Sequence, residues 1–228
     1  MIILFSKIIN KKRSLRKPII IGFQAPSAAG KTLFAKDIQK KFGEENVLIL
    51  TLDNFYHGLR SGEKASERDW DIPSSFNFKL LIKSLKLLSS GQSVEIPIYD
   101  FTIHKPKEKG LIVHSRPIII VEGILVFSNE ELNKLFDYTI SIDADRKLRF
   151  HRRRERDQNE RGRTLGEINI QLKQVAAAED KFIFPSIEKM KEIMGENHYT
   201  INNNTDGGLD RKINNVVNWI KEKIQPMN

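Results

Sequence analysis

The chain has 228 residues, a net charge of +9 and no cysteine. That length can enclose one sizeable core; the missing cysteine excludes disulfides and thiolate metal or redox sites, and no apolar run approaches the ~20 residues of a membrane-spanning helix. The charge sits in two places: residues 1–17 hold six basic residues and no acid, residues 146–163 hold nine basic and three acidic ones, and the remainder is net −3. A body this close to neutral argues against a general nucleic-acid-binding surface.

Residues 1–17 read as a basic N-terminal extension ahead of one domain spanning 18–228. Its apolar stretch precedes its basic cluster, the wrong order for a secretory signal, and no chemistry is assigned to it. Pro18-Ile19-Ile20-Ile21-Gly22-Phe23 is a short apolar run that predicts a buried strand. Leu33, Phe34, Ile38 and Phe42 then recur at helical spacing, with Gly43 as a stop. Between them lies Ala25-Pro26-Ser27-Ala28-Ala29-Gly30-Lys31-Thr32. Strand, small-residue turn, Gly-Lys-Thr and helix are the context of a phosphate-binding P-loop. Unpaired N–H groups at the helix start attract anions; Lys31 would reach the β- and γ-phosphates and the Thr32 hydroxyl would ligate Mg²⁺. The usual pattern has glycine where Ala25 stands, a cost of about 1–2 kcal/mol if that position needs positive φ, and Pro26 offers no N–H.

Val47–Leu52 predicts a second buried strand ending at Asp53, followed by an exposed loop through Arg68. Ligands of open α/β sheets bind outside the carboxyl ends of the strands. Asp53 is thus placed to take a proton from a substrate hydroxyl, although a turn or cap aspartate fits the position equally well. A leucine-rich helix is expected from about Phe78 to Leu88. Residues 94–101 and 110–114 then flank a turn at Lys105–Lys109, which predicts a β-hairpin. Tyr99 and Phe101 point to one of its faces, with His104 beyond; ordinary packing would account for them taken alone. Pro117–Val121 is the most apolar strand, with Glu122-Gly123 at its tip. Ser128-x-x-Glu131 predicts a capping box opening a short helix, and Tyr138–Ile142 a strand ending at Asp143. Strands interleaved with helices predict a parallel sheet covered on both faces.

The second basic run, residues 145–163, is too polar for a core helix. Arg149, Arg153 and Arg156 share a helical face, Arg161-Gly162-Arg163 forms a turn, and Thr164-x-x-Glu167 is a capping box for the helix holding Gln171. Arginines on such a helix–turn–helix can close over phosphates and neutralise charge on a transferring phosphoryl group. A helix around Ile187–Met194, a strand at His198–Asn202 and a terminal amphipathic helix complete the chain.

In this order the pieces resemble the uridine (uridine–cytidine) kinase family, within the wider uridine kinase/phosphoribulokinase group of P-loop kinases, from about Pro18 to Lys189. The likeness rests on the loop ending Gly30-Lys31-Thr32, on Asp53-Asn54-Phe55-Tyr56, and on Tyr99-Asp100-Phe101-x-x-His104, which is similar to the family's nucleoside-binding hairpin. Glu122-Gly123-Ile124-Leu125 and Arg156-Asp157-x-x-Glu160-Arg161-Gly162-Arg163 complete it. The resemblance implies an α/β P-loop kinase fold with a hairpin insertion (94–114) that binds the acceptor and an arginine-rich helical lid (about 146–165). It implies that Asp53 deprotonates the nucleoside 5′-hydroxyl and that ATP is held by Ser27, Ala28, Ala29, Gly30, Lys31 and Thr32 with Arg153, Arg156 and Arg161. Lys31, Arg156 and Arg161 would act in catalysis beside Asp53, and Thr32 and Glu122 would hold Mg²⁺. Tyr56, Asp71, Tyr99, Phe101, His104, Ile124, Arg163 and Gln171 would bind the nucleoside, Asp71 at the ribose hydroxyls. Trp70 and Ile72 replace the family's usual phenylalanine and histidine around Asp71, Ser74 and Asn77 replace acidic positions, and Leu172 replaces a tyrosine.

The expected protein is therefore a cytoplasmic pyrimidine nucleoside kinase of the salvage route, using ATP and Mg²⁺, without nucleic-acid or membrane partners; the resemblance also suggests a homo-oligomer. One alternative is a related kinase with a sugar phosphate or pantothenate-like acceptor, and another is a non-catalytic P-loop protein binding nucleotide or nucleic acid. A guanine-reading switch is disfavoured, because neither Asn10-Lys11 nor Asn133-Lys134 continues as N-K-x-D.

Overall fold

The computed structural model describes residues 17–64, 68–159, 164–204 and 207–224; the N-terminal extension up to Arg16, and with it Arg161 and Arg163 of the lid turn, lie outside the described residues. In chain order the elements are β1 (Ile19–Gln24), α1 (Lys31–Phe42), β2 (Val47–Thr51), α2 (Phe78–Ser89), β3 (Val94–Ile96), β4 (Tyr99–Asp100), β5 (Lys105–Pro106) and β6 (Leu111–Val113). They continue as β7 (Ile118–Gly123), α3 (Glu130–Asn133), β8 (Tyr138–Asp143), α4 (Arg146–Asn159), α5 (Leu165–Ala178), α6 (Phe184–Met194), β9 (His198–Asn202) and α7 (Leu209–Ile224). No helix among the described residues is long and apolar enough to cross a membrane.

Five strands form one sheet in the order β2-β7-β1-β8-β9, every neighbouring pair parallel. The apolar runs alternate between its faces. Ile119 and Val121 of β7 join Ile20 and Leu50 in a core under α2, α6 and the hairpin, whereas Ile118 and Ile120 join Ile21 and Phe23 under α1 and α7. Burial on both faces is why these strands read as continuous hydrophobic runs. The architecture is the α/β fold expected, and β9 adds a fifth strand at the sheet edge.

Three local expectations change. Ser128 does not cap α3: its hydroxyl donates to Leu125 O at 2.6 Å, and Asn129 accepts from Leu132 N at 2.9 Å instead. The hairpin reverses at residues 101–104 rather than 105–109. Asp100 caps the turn by accepting from Thr102 N at 2.9 Å, and Tyr99-Asp100 pairs with Lys105-Pro106; a short polar side chain that bonds the backbone two residues on makes a turn there. Arg149 does not belong to an open arginine face, for it is wholly buried. The Thr164–Glu167 capping box forms as expected, with Thr164 N donating to Glu167 Oε2 at 2.8 Å.

Candidate active site

Strand register brings the carboxylates together. Glu122, the penultimate residue of β7, lies beside Thr51 of β2 and Phe23 of β1. Two residues past Thr51 comes Asp53, in the first turn of a 3₁₀-helix (Leu52–Phe55). One residue past Phe23 the chain leaves the sheet for the phosphate loop. The close approach depends on Gly123, whose added Cβ would stand 2.5 Å from Leu52 Cβ. Gly123→Ala is therefore expected to displace the 3₁₀-helix that carries Asp53, costing about 1–3 kcal/mol of stability and well over tenfold in turnover; thermal melts and steady-state kinetics check both.

The loop returns into α1 through Gly30, which takes φ 96°. The start of α1 has no side-chain cap and no acidic residue in its first turn, so its N–H groups and positive dipole end suit an anion. Lys31 Nζ contacts Glu122 Oε2 at 2.5 Å, both side chains being nearly excluded from solvent, and the Thr32 side chain next to it is exposed. The strain expected at Ala25 falls elsewhere. Ala28 is the loop residue in the left-handed region, at φ 60°, whereas Ala25 is a buried core residue.

Just after Asp53 the chain enters an aromatic cluster. Tyr56 pairs with Phe76 in an isolated bridge, and its ring lies 5.3 Å from Tyr99, 6.4 Å from Phe101 and 5.7 Å from Trp70. His104, at φ 52°, stacks on Trp70 at 5.1 Å, and the Arg68 guanidinium lies 4.6 Å from the Trp70 ring centre. His104 O accepts from Leu59 N at 3.0 Å, tying the hairpin tip to the segment after Asp53. Tyr99 Oη is buried and has no hydrogen-bond partner among the described residues; burial pushes the Tyr99 phenol up to about 12. Ile124 packs against the same core.

Charge converges where the loop and the cluster meet. Arg153 donates from Nη1 to Ser27 Oγ at 2.7 Å. Its charge also reaches Asp71 and Tyr56, both of which feel Asp53. Burial raises the Asp71 carboxyl to about 6, opposed by Arg153 and assisted by Asp53 and Asp69. Burial, with Asp53 and Asp71 nearby, likewise raises the Tyr56 phenol. Arg156 is held on the buried Asp157 at 3.1 Å, and Gln171 is half-buried on α5. Among the described residues no three His, Cys, Asp or Glu side chains gather to hold a metal. A cation here would need phosphate oxygens as further ligands, the usual situation for Mg²⁺.

The phosphoribulokinase/uridine kinase family model matches residues 20–196. The uridine kinase of Clostridium tetani is 39% identical over 92% of this chain and 98% of its own length. That of Lactobacillus johnsonii is 35% identical over 90% and 99% respectively. The chain belongs to the phosphoribulokinase/uridine kinase family. Two solved structures share the P-loop kinase fold: D-glycerate 3-kinase from Cryptococcus neoformans (TM-score 0.59, 15% identity, 90% of this chain and 96% of that one) and phosphoribulokinase from Rhodobacter spheroides (0.56, 15%, 76% and 68%). Family membership makes the protein a P-loop kinase.

Within this family fold, the sequence departures acquire separate meanings. Asn77 caps α2, accepting from Leu80 N at 3.0 Å, and Leu172 is core. Trp70, noted in the sequence only as a departure beside Asp71, joins the aromatic cluster through Tyr56, Tyr99 and His104. It stands beside Asp71 in a loop otherwise poor in apolar residues, and an aromatic there was the available signal.

Proposed function

We propose that the protein transfers the γ-phosphoryl group of ATP to the 5′-hydroxyl of a pyrimidine nucleoside, uridine or cytidine, yielding the nucleoside monophosphate in pyrimidine salvage. The observation that carries this reading is one convergence: Asp53 and Asp71 both act on Tyr56 of the aromatic cluster, and Arg153, which acts on Asp71 and Tyr56, also donates to Ser27 of the phosphate loop. The cluster of Tyr56, Trp70, Tyr99 and Phe101, whose rings meet edge-on or tilted, offers aromatic surface for a planar base, and the unpartnered Tyr99 Oη suits a polar base edge. A sugar phosphate would use neither.

In the mechanism, Asp53 accepts the proton of the 5′-hydroxyl, and Asp71 accepts hydrogen bonds from the ribose hydroxyls and aligns the attack. The N–H groups at the start of α1 bind the donor phosphates. Lys31, at present on Glu122, follows charge onto the transferring group, and Arg153, with Arg156 and the lid residue Arg161, stabilises that charge from the acceptor side. Thr32 and Glu122 would hold Mg²⁺, which supplies charge neutralisation on the phosphates. Arg163 and Gln171 are assigned to the nucleoside by the family resemblance alone. A turnover panel with ATP–Mg²⁺ and uridine, cytidine, adenosine and ribulose 5-phosphate tests the reading; activity confined to the last two would overturn it.

A pH dependence follows from Asp71. Only its carboxylate accepts two hydroxyl hydrogen bonds, so kcat/KM for the nucleoside is expected to fall about tenfold per pH unit below ~6, with the limb abolished in Asp71→Asn. The stability effect has the opposite sign. A carboxyl raised from 3.8 to about 6 makes the folded state bind more protons than the unfolded chain between those values, so its burial is a cost that is complete above pH 6 and relieved below pH 4. Asp71→Asn should therefore raise stability at pH 7 by on the order of 2 kcal/mol while weakening nucleoside binding.

A further inference from the structure

The most basic helix among the described residues, α4, contains a side chain that cannot face a ligand. Arg149 is wholly buried, donating from Nε to Ala144 O at 2.9 Å and from Nη1 to Ser27 O at 3.3 Å. Its Nη1 and Nη2 also grip both oxygens of Glu179, the latter at 3.0 Å, and Glu179 is wholly buried as well. Arg146 Nε reaches the same carboxylate at 3.2 Å. Glu179 opens a π-helical turn (Glu179–Ile183) between α5 and α6. At the other end of that turn, Ile183 O accepts from Gln24 Nε2 at 3.1 Å, and Gln24 immediately precedes the phosphate loop. One π turn thus holds the loop at two points, once through Gln24 and once through Arg149.

The loop needs holding. Ala28, at φ 60°, is in a conformation that costs a non-glycine residue about 1–2 kcal/mol and persists only where its surroundings fix it. The peptide before it is pinned at Ser27 O by Arg149, the peptide after it donates from Ala29 N to Pro26 O at 3.3 Å, and one peptide further on Ala29 O accepts from Asn203 Nδ2 at 3.0 Å, with Lys212 in turn on Asn203 at 2.9 Å. The C=O and N–H of a trans peptide point in opposite directions, so fixing Ser27 O on the guanidinium turns the Ala28 N–H away from Arg149. Stability alone does not require a buried ion pair, since apolar residues of similar volume serve as well or better.

We propose that Arg149 and Glu179 form a positioning pair, setting the strained phosphate loop and the base of the arginine lid in register for ATP. The proposal rests on the reading of this loop as the ATP site. Its test is the dissociation constant for ATP–Mg²⁺, measured by equilibrium binding alongside nucleoside turnover. Glu179→Gln is expected to raise that constant and the KM for ATP about tenfold, the loss of roughly one charge-assisted hydrogen bond, with the nucleoside KM unchanged. The double variant Arg149→Met/Glu179→Met, which removes both charges, should melt at or above the wild-type temperature yet show the same weakening. Wild-type ATP affinity in the folded double variant would overturn the proposal, as would failure of both variants to fold. A wild-type protein that binds ATP but phosphorylates no nucleoside would instead overturn the functional reading and leave the binding comparison valid.

Discussion

Asp53→Asn is expected to lower kcat about 10³-fold, the middle of the range for a general base, while the dissociation constant for ATP stays nearly unchanged. The change is isosteric and Asp53 is half-buried at the tip of β2, held by the 3₁₀-helix that follows it, so the fold should survive. Asp53 belongs to neither the loop nor α1. A second signal follows from electrostatics. Asp53 is among the charges that raise Asp71, so removing it should move the acidic limb of the residual activity to lower pH. Unchanged kcat would reject the base assignment. A limb that stays at its wild-type pH would place Asp53 too far from Asp71 to share one acceptor site with it.

Lys31→Met is expected to fail twice, for separable reasons. Without the ammonium, the proposed mechanism loses the cation it assigns to the transferring phosphoryl group, worth about 10²–10³ in turnover. At the same time Glu122, whose side chain is 4% exposed, loses the partner 2.5 Å away, and leaving one member of a buried pair unpaired costs about 3–5 kcal/mol. The second effect by itself could mimic the first by reducing the folded fraction. Adding Glu122→Gln removes the stranded charge, so Lys31→Met/Glu122→Gln should recover most of the melting temperature and none of the turnover. Recovery of activity along with stability would show that Lys31 serves the fold rather than the phosphates.

The parts of the site legible in the sequence were those with local signatures. The apolar run before Ala25, the Gly-Lys-Thr and the helical spacing after it identify a loop whose chemistry depends on neighbours in the chain. Carboxylates after apolar runs announce strand tips. The position of the hairpin reversal was not legible, because Asp100 capping Thr102 competes with a Pro-Lys-rich stretch that looks equally turn-like. Ala28 rather than Ala25 bears the left-handed backbone because the path of the loop is set by clamps more than 100 residues away, Arg149 and Asn203. Arg149 looks from spacing like a lid residue, since periodicity gives a face and not what covers it; Glu179 covers it.

Local patterns in the chain were enough to read a parallel α/β kinase fold and its phosphate loop, and to nominate residues for the proposed acceptor site. Hydrophobic periodicity and short motifs are local, and parallel strands buried on both faces leave little freedom in how such segments stack. Which charges meet followed from packing in three dimensions. It set Lys31 on Glu122, Arg153 between Ser27 and Asp71, and Arg149 on Glu179. Those pairings depend on burial and on distances between residues far apart in the chain, which no spacing along the sequence records.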